Sequence, residues 1–117
     1  MVAVTGDEYC YVTTTGRRSG RPHRIEIWYA AEGSTLYLLA GGRTSSDWVR
    51  NLLVESTVSV ERDGQEHMAR ARVLDDGGDE EQRARALVHG KYAPRSGGDL
   101  TGWRDRALPV ALDLLDG

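Results

Sequence analysis

The sequence predicts a single mostly-β domain over residues 1–117, an antiparallel barrel of about six strands with two short helices and closed by the last strand. Three observations carry that prediction. Short stretches rich in β-branched and aromatic residues recur at 9–15, 24–29, 35–40, 57–61, 66–73 and 108–114, and only two stretches show helical spacing. An Asp63-Gly64 pair sits between two alternating arms, the strongest local signal for a hairpin. No repeat, linker or low-complexity segment divides the chain, and 117 residues are too few for two cores.

The elements follow in order. Residues 9–15 form the first arm; the second alternates, with Ile25, Ile27 and Tyr29 on one face and Arg24, Glu26 and Trp28 on the other. After a turn at 32–34, the nearly continuous apolar run 35–40 reads as a strand buried on both faces, so the first forty residues read as a three-stranded meander. The loop 41–47 ends in Ser45, Ser46 and Asp47, residues suited to cap a helix start. The helix 47–54 that follows carries Trp48, Val49, Leu52 and Leu53 on one side. The hairpin of 57–61 and 66–73 comes next, then a helix over 79–89 with acids first, His89 and Lys91 near its end and Gly90 as its stop. Pro94, Gly97, Gly98 and Gly102 predict an irregular, mobile stretch at 92–102, in the style of a lid. Trp103 and 108–114 close the chain as a sixth strand, where Pro109 fits at the start or on an edge.

Composition excludes several classes. No run of about 18 apolar residues exists to span a bilayer, and residues 1–8 lack the basic start and apolar stretch of a signal peptide. The single cysteine, Cys10, makes no internal disulfide, in keeping with a cytoplasmic location, and its apolar strand predicts an inert packed thiol. One cysteine and three scattered histidines give no metal-ligand spacing, so no metal site is expected. No nucleophile elbow, P-loop or dinucleotide fingerprint is present, and no carboxylate pair stands out; any catalysis is expected to rest on a cofactor.

One feature of the charge distribution needs a local cause. Arg17, Arg18, Arg21 and Arg24 fall within eight residues of a chain whose net charge is −3. Solvated arginines, or arginines paired with the acids at 75–81, are one reading. A nucleic-acid patch is another, but the rest of the chain is not basic and carries no reader motif, so no nucleic-acid partner is expected. The favoured reading is a loop for the phosphate of a small anionic cofactor, with guanidinium forks completed by Ser19 and loop amides. Trp48 is read either as a core anchor or as a ring flanking a bound heterocycle beside the glycine loop. Asn51 is read as a surface amide or as a side chain bonding back to the loop.

The run Thr13-Thr14-Thr15-Gly16-Arg17-Arg18-Ser19-Gly20-Arg21-Pro22 resembles the signature of the deazaflavin-dependent nitroreductase and quinone-reductase family, split β-barrel proteins of actinobacteria and their relatives that use coenzyme F420. The similarity continues through Ala40-Gly41-Gly42, Trp48 and Asn51-Leu52, and resumes at Tyr92-Ala93 and from Trp103 to Val110. The resemblance implies an FMN-binding-like split barrel in which Arg17, Arg18 and Ser19 hold the cofactor's phosphate and acidic tail, extended by His23 and Arg24. It implies that Arg24, Ile25, Glu26 and Ile27, with Ala40, Gly41 and Gly42, line the deazaflavin, and that Asp47, Trp48 and Asn51 stand at its other edge. Tyr92 corresponds to a tyrosine near the substrate and is the candidate proton donor. The implied reaction is hydride transfer to an electron-poor small molecule, a quinone, enone or nitro compound. FMN on the same fold, and a non-catalytic carrier or sensor, are the alternatives. Glu26 stands where nitro-activating members tend to carry proline, which points away from nitroreduction. The chain starts almost at its first strand, without the N-terminal helix of membrane-associated members, so a soluble protein is expected, with a homodimer possible.

Overall fold

Period-two patterning builds the sheet. In the computed structural model, which describes residues 9–115, β1 (Cys10–Thr15) buries Cys10, Val12 and Thr14 on one face. The reading of residues 1–8 lies outside the described part. β2 (Pro22–Ile27) directs Ile25 and Ile27 toward the same interior, while Glu26 stays exposed. Two hairpins follow the same logic. β3 (Ala30–Glu32) returns through Gly33, at φ +60°, into β4 (Thr35–Ala40). β5 (Thr57–Arg62) and β6 (Gln65–Val73) turn at Asp63 and Gly64, both at positive φ, as the Asp-Gly pair predicts. β7 (Leu108–Leu114) completes a seven-stranded antiparallel sheet in the order β2-β1-β5-β6-β7-β4-β3.

The two edges of that order, β2 and β3, are neighbours in the chain, separated only by Trp28 and Tyr29. One bent strand thus supplies both edges and curls the sheet into a barrel that is split at the bend. The opening residues are therefore not a meander: β1–β2 and β3–β4 pair locally, and β4 finds its other partner in β7. The strand count rises from about six to seven for the same reason.

Two cores share β4, which explains its uninterrupted apolar run. Leu36, Leu38 and Ala40 enter the barrel with Val12, Val60, Val110 and Leu112. Tyr37 and Leu39 face outward onto α2 (Asp79–Tyr92), against Ala84, Val88 and Tyr92. α1 (Asp47–Val54) contributes Trp48, Val49 and Leu52 to the barrel; Leu53 is 57% exposed, and Asn51 takes the buried place instead.

The C-terminal third differs most from the sequence reading. Gly90 does not stop α2, which runs on to Tyr92 and ends where Pro94 enters a 3-10 turn, Ala93–Arg95. Of the region 92–102 expected to be irregular, residues 96–100 carry no helix or strand, but Tyr92 ends α2, and Thr101 and Gly102 begin α3 (Thr101–Arg106), where Trp103 lies rather than on a strand. Asp99 accepts hydrogen bonds from Thr101 N–H (3.0 Å) and from Thr101 Oγ1 (2.8 Å), which organises the turn into α3. Pro109 occupies the second position of a central strand. Its carbonyl accepts from Leu74 N–H at 2.9 Å, and the missing proline N–H falls at the end of the β6–β7 pairing, one residue past the Val73–Val110 bridge. Among the described residues no helix is long and apolar enough to cross a membrane.

Candidate functional site

The arginine loop is tied shut by its own backbone. Gly16 N–H donates to Arg21 O and Gly20 N–H to Gly16 O, both at 2.8 Å, with Gly20 at φ +73°. Ser19 Oγ accepts from Arg21 N–H at 3.1 Å. A Cβ on Gly16 would lie 2.8 Å from Ser19 Oγ and 3.1 Å from Arg21 O, so the turn has no room for a side chain there.

The four arginines divide by role. Arg17 faces α1: its backbone N–H and Nη1 both donate to Asn51 Oδ1, at 3.1 and 2.9 Å, and Nη2 meets Asp47 Oδ1 at 3.3 Å. Asn51, 3% exposed, passes the contact on by donating from Nδ2 to Thr14 Oγ1 at 3.1 Å. Arg24 turns away, with Nη2 2.9 Å from Glu61 and its guanidinium 4.2 Å from the centre of the Tyr11 ring. Arg18 and Arg21 are exposed and make no ion pair among the described residues. Gly16, Arg17, Arg18, Ser19, His23, Asp47 and Asn51 together line a polar cavity of about 280 Å³ at the start of α1. Free cations, a hydroxyl and a helix start suit an anion such as phosphate.

A second cavity follows from the split. Pairing of β3 with β4 ends at Ala30 opposite Tyr37. The same register continued would set Trp28 against Leu39 and Ile27 against Ala40, but every bridge of β2 goes to β1. The facing edges of β2 and β4 therefore part, leaving alternate backbone groups along β2 available. The cleft between them, about 410 Å³, is lined by Glu26, Ile27, Trp28, Leu39, Leu100 and Trp103. Gly41 and Gly42 continue the β4 side: a Cβ on Gly41 would touch the Trp103 indole at 3.8 Å, and one on Gly42 would fall 2.6 Å from Ser46 Oγ. From His23 in the polar cavity to Glu26 in the cleft is three strand residues, about 10 Å. An elongated ligand with an anionic tail and a flat ring matches that pair of sites.

The bend between β2 and β3 is held from behind by the end of α2. Tyr92 Oη accepts from Tyr29 N–H and donates to Tyr29 O, each at 3.0 Å. Lys91 Nζ donates to the same carbonyl at 2.8 Å and lies 3.8 Å from the Tyr29 ring centre. The Tyr92 ring stacks on Trp28 (4.3 Å, 4° between planes), and Trp103 meets Trp28 edge-on (5.7 Å, 86°). Tyr92 is 1% exposed, and burial pushes its phenol up to about 12.

The structure thus brings Arg17, Arg18, Ser19, His23, Asp47 and Asn51 to one cavity, and Glu26 and Ile27 to the next. It places the Trp48 ring in the barrel core at 8% exposure, Ala40 and Ile25 in that same core, and the Tyr92 hydroxyl against the backbone of Tyr29 rather than in the cleft. Sequence reasoning missed Trp28, Leu39, Leu100 and Trp103 as cleft walls; only Trp28 carried a signal, as an outward tryptophan on an alternating strand. Cys10 is fully buried and desolvation raises its thiol to about 12, an unreactive state. Among the described residues no cluster of three His, Cys, Asp or Glu side chains is placed to hold a metal.

Comparison with known proteins agrees with this architecture. An F420-H2 dependent reductase (FDR-A) superposes with a TM-score of 0.74 at 22% identity, over 96% of this chain and 99% of the other. The heme storage protein HutZ of Vibrio cholerae gives 0.74 at 14% identity, over 95% and 84%. A FAD-binding protein of Mesorhizobium loti gives 0.66 at 14% identity, over 94% and 83%. At these identities the likeness is one of fold, that of split-barrel proteins. No curated protein sequence matches. Residues 3–114 match the family model described as F420H(2)-dependent quinone reductase, and the chain belongs to that family.

Proposed function

We propose that the chain binds coenzyme F420 along the split and uses it to reduce an electron-poor small molecule, with quinones first among the acceptors and enones and nitro compounds behind them. The observation that carries this reading is that one strand, β2, lines both cavities, with His23 in the polar one and Glu26 and Ile27 in the apolar cleft. Arg18, Ser19 and His23 hold the cofactor's phosphate, with Arg21 free to meet its acidic tail. Arg17 acts one step back, fixing the loop to Asn51 and Asp47. Backbone groups of Arg24, Ile25, Glu26 and Ile27, and the open floor at Gly41 and Gly42 above the buried Ala40, take the planar ring. When bound and reduced, that group supplies a hydride. Trp28, Trp103, Leu39 and Leu100 exclude water from the acceptor and keep it near the ring face. Tyr92 serves by holding Trp28 in place.

Fluorescence titration of the purified chain with coenzyme F420, and separately with FMN, at two salt concentrations tests the assignment. The expected result is micromolar or tighter F420 binding, weakened by salt and by about tenfold in Arg18→Ala. Arg18→Ala is the cleaner variant, because Arg17→Ala also cuts the tie to α1. Preference for FMN would move the function to a flavin reductase on the same fold, a reading supported by the FAD-binding neighbour. Tight binding without oxidation of the reduced form by any acceptor would leave a carrier or sensor. Binding of neither cofactor would return the arginines to a solvated loop and remove the enzyme reading. A structural relative is a domain-swapped dimer, and sedimentation of this chain decides whether it too pairs.

A further inference from the structure

The acceptor cleft has a chemical preference of its own, and this inference rests on the assignment of that cleft to the acceptor. Five of its six described walls are apolar or aromatic: Ile27, Trp28, Leu39, Leu100 and Trp103; the sixth is Glu26. The two indoles meet at 86° with centroids 5.7 Å apart, an edge-to-face contact, so a ligand lies against the pair rather than between them. Tyr92 covers one face of Trp28 at 4.3 Å, and Trp28 remains 37% exposed.

Glu26 keeps its charge available at this place. It stands on the exposed side of β2, makes no ion pair among the described residues, and has as its polar neighbour the uncharged Tyr11 phenol directly opposite on β1. The cation nearest along its own face, Arg24, is spent on Glu61 at 2.9 Å and on the Tyr11 ring at 4.2 Å. Arg95 approaches only the ring behind, 5.9 Å from the centre of Tyr92. A carboxylate beside two indoles at right angles is the arrangement that binds organic cations, through the negative ring faces and the acid together. We propose that the cleft selects electron-poor, planar acceptors that carry a positive charge, and rejects anionic ones, with Glu26 and Trp103 as the selecting residues.

Three probes of one size separate charge from shape: 1-methylquinolinium, 1-methylnaphthalene and naphthalene-1-sulfonate, each titrated calorimetrically into the full chain without cofactor. The cation is expected to bind about tenfold more tightly than the neutral isostere, and the sulfonate most weakly. Glu26→Gln should remove most of the cation's advantage while leaving affinity for the neutral probe unchanged, and Trp103→Leu should weaken the cation most. Glu26 is exposed, so its variant is expected to melt like the parent, which a thermal scan checks. Equal binding of cation and neutral probe, a preference that survives Glu26→Gln, or no binding of any probe below millimolar concentration would each overturn the proposal. Since no cofactor is added, such a failure leaves the deazaflavin reading standing; failure of F420 to bind would remove that reading and with it the naming of the bound cation as an acceptor, while a measured cation preference of the cleft would stand.

Discussion

Replacing Tyr92 by phenylalanine separates two roles that this position can have. Among the described residues the Tyr92 hydroxyl makes two hydrogen bonds to Tyr29, both 3.0 Å long, in a place where Tyr92 is 1% and Tyr29 4% exposed. The variant keeps the aromatic plane that stacks on Trp28 and loses only the oxygen. The Tyr29 carbonyl retains Lys91 at 2.8 Å, while the Tyr29 N–H loses its Tyr92 acceptor. Loss of an acceptor at a buried donor costs about 1–3 kcal/mol. With an unfolding entropy of about 2.1 cal/mol/K per residue, a chain of 117 residues has roughly 0.25 kcal/mol/K in all. The melting temperature should therefore fall by about 4–12 °C.

Two measurements check this: a thermal melt followed by circular dichroism, and steady-state oxidation of reduced F420 with a quinone acceptor. If Tyr92 positions Trp28, the melt shifts as stated and kcat stays within about threefold, since the stacked pair survives. A general acid is worth about 10²–10⁴ in rate. A kcat loss of that size with an unchanged melt would refute the positioning argument and make the phenol a proton donor. A melt shift below about 2 °C would refute the energetic argument instead.

Three further outcomes follow from the same geometry. Asn51→Ala removes the acceptor of two Arg17 hydrogen bonds and a donor to Thr14; urea unfolding should show a loss of about 2–3 kcal/mol, and F420 titration a looser loop. Gly16→Ala forces a Cβ to within 2.8 Å of Ser19 Oγ, so F420 affinity should drop about tenfold by fluorescence while the barrel's far-ultraviolet spectrum is unchanged. Glu81, held below the usual carboxylate range first by Arg85 and then by Gly77 N–H, stabilises the fold above its unfolded value near about 4.3 and ceases to as pH falls through its lower folded value. Melts across pH 2 to 7 should therefore show Glu81→Gln less stable than the parent at pH 7, with the difference shrinking under acid.

What was legible in the sequence was local. Alternation at Ile25, Ile27 and Tyr29, the Asp63-Gly64 turn and the two-faced burial of β4 depend on neighbours along one strand, and all appear in the structure. The arginine loop was legible too, since its ties run between Gly16 and Arg21. What was not legible depends on residues far apart in the chain. Gly90 reads as a helix stop by propensity, yet α2 continues because Val88 and Tyr92 are buried against the outer face of the sheet. The glycines at 97, 98 and 102 hid α3, although the Asp99-to-Thr101 spacing announced its start. The division of labour among the arginines was invisible as well, because Asn51 and Glu61 reach them only through the fold.

The break after Ile27 is where fold and candidate site become one problem. Nothing in the alternation of residues 24–32 interrupts a strand, and pairing throughout would seal β2 against β4 and erase the cleft. Tyr29 is instead gripped from 63 residues away by the Tyr92 hydroxyl, with Lys91 on its carbonyl, while Tyr92 covers one face of Trp28. A strand edge held open in this way keeps backbone groups unpaired. Leu100 and Trp103 line the groove beside that edge and cover part of it with apolar surface. The C-terminus of α2 therefore does for the cleft what Asn51 does for the arginine loop. Each is a long-range tie that braces the border of a site: Asn51 lines the polar cavity it braces, whereas the Tyr92 hydroxyl is spent on Tyr29.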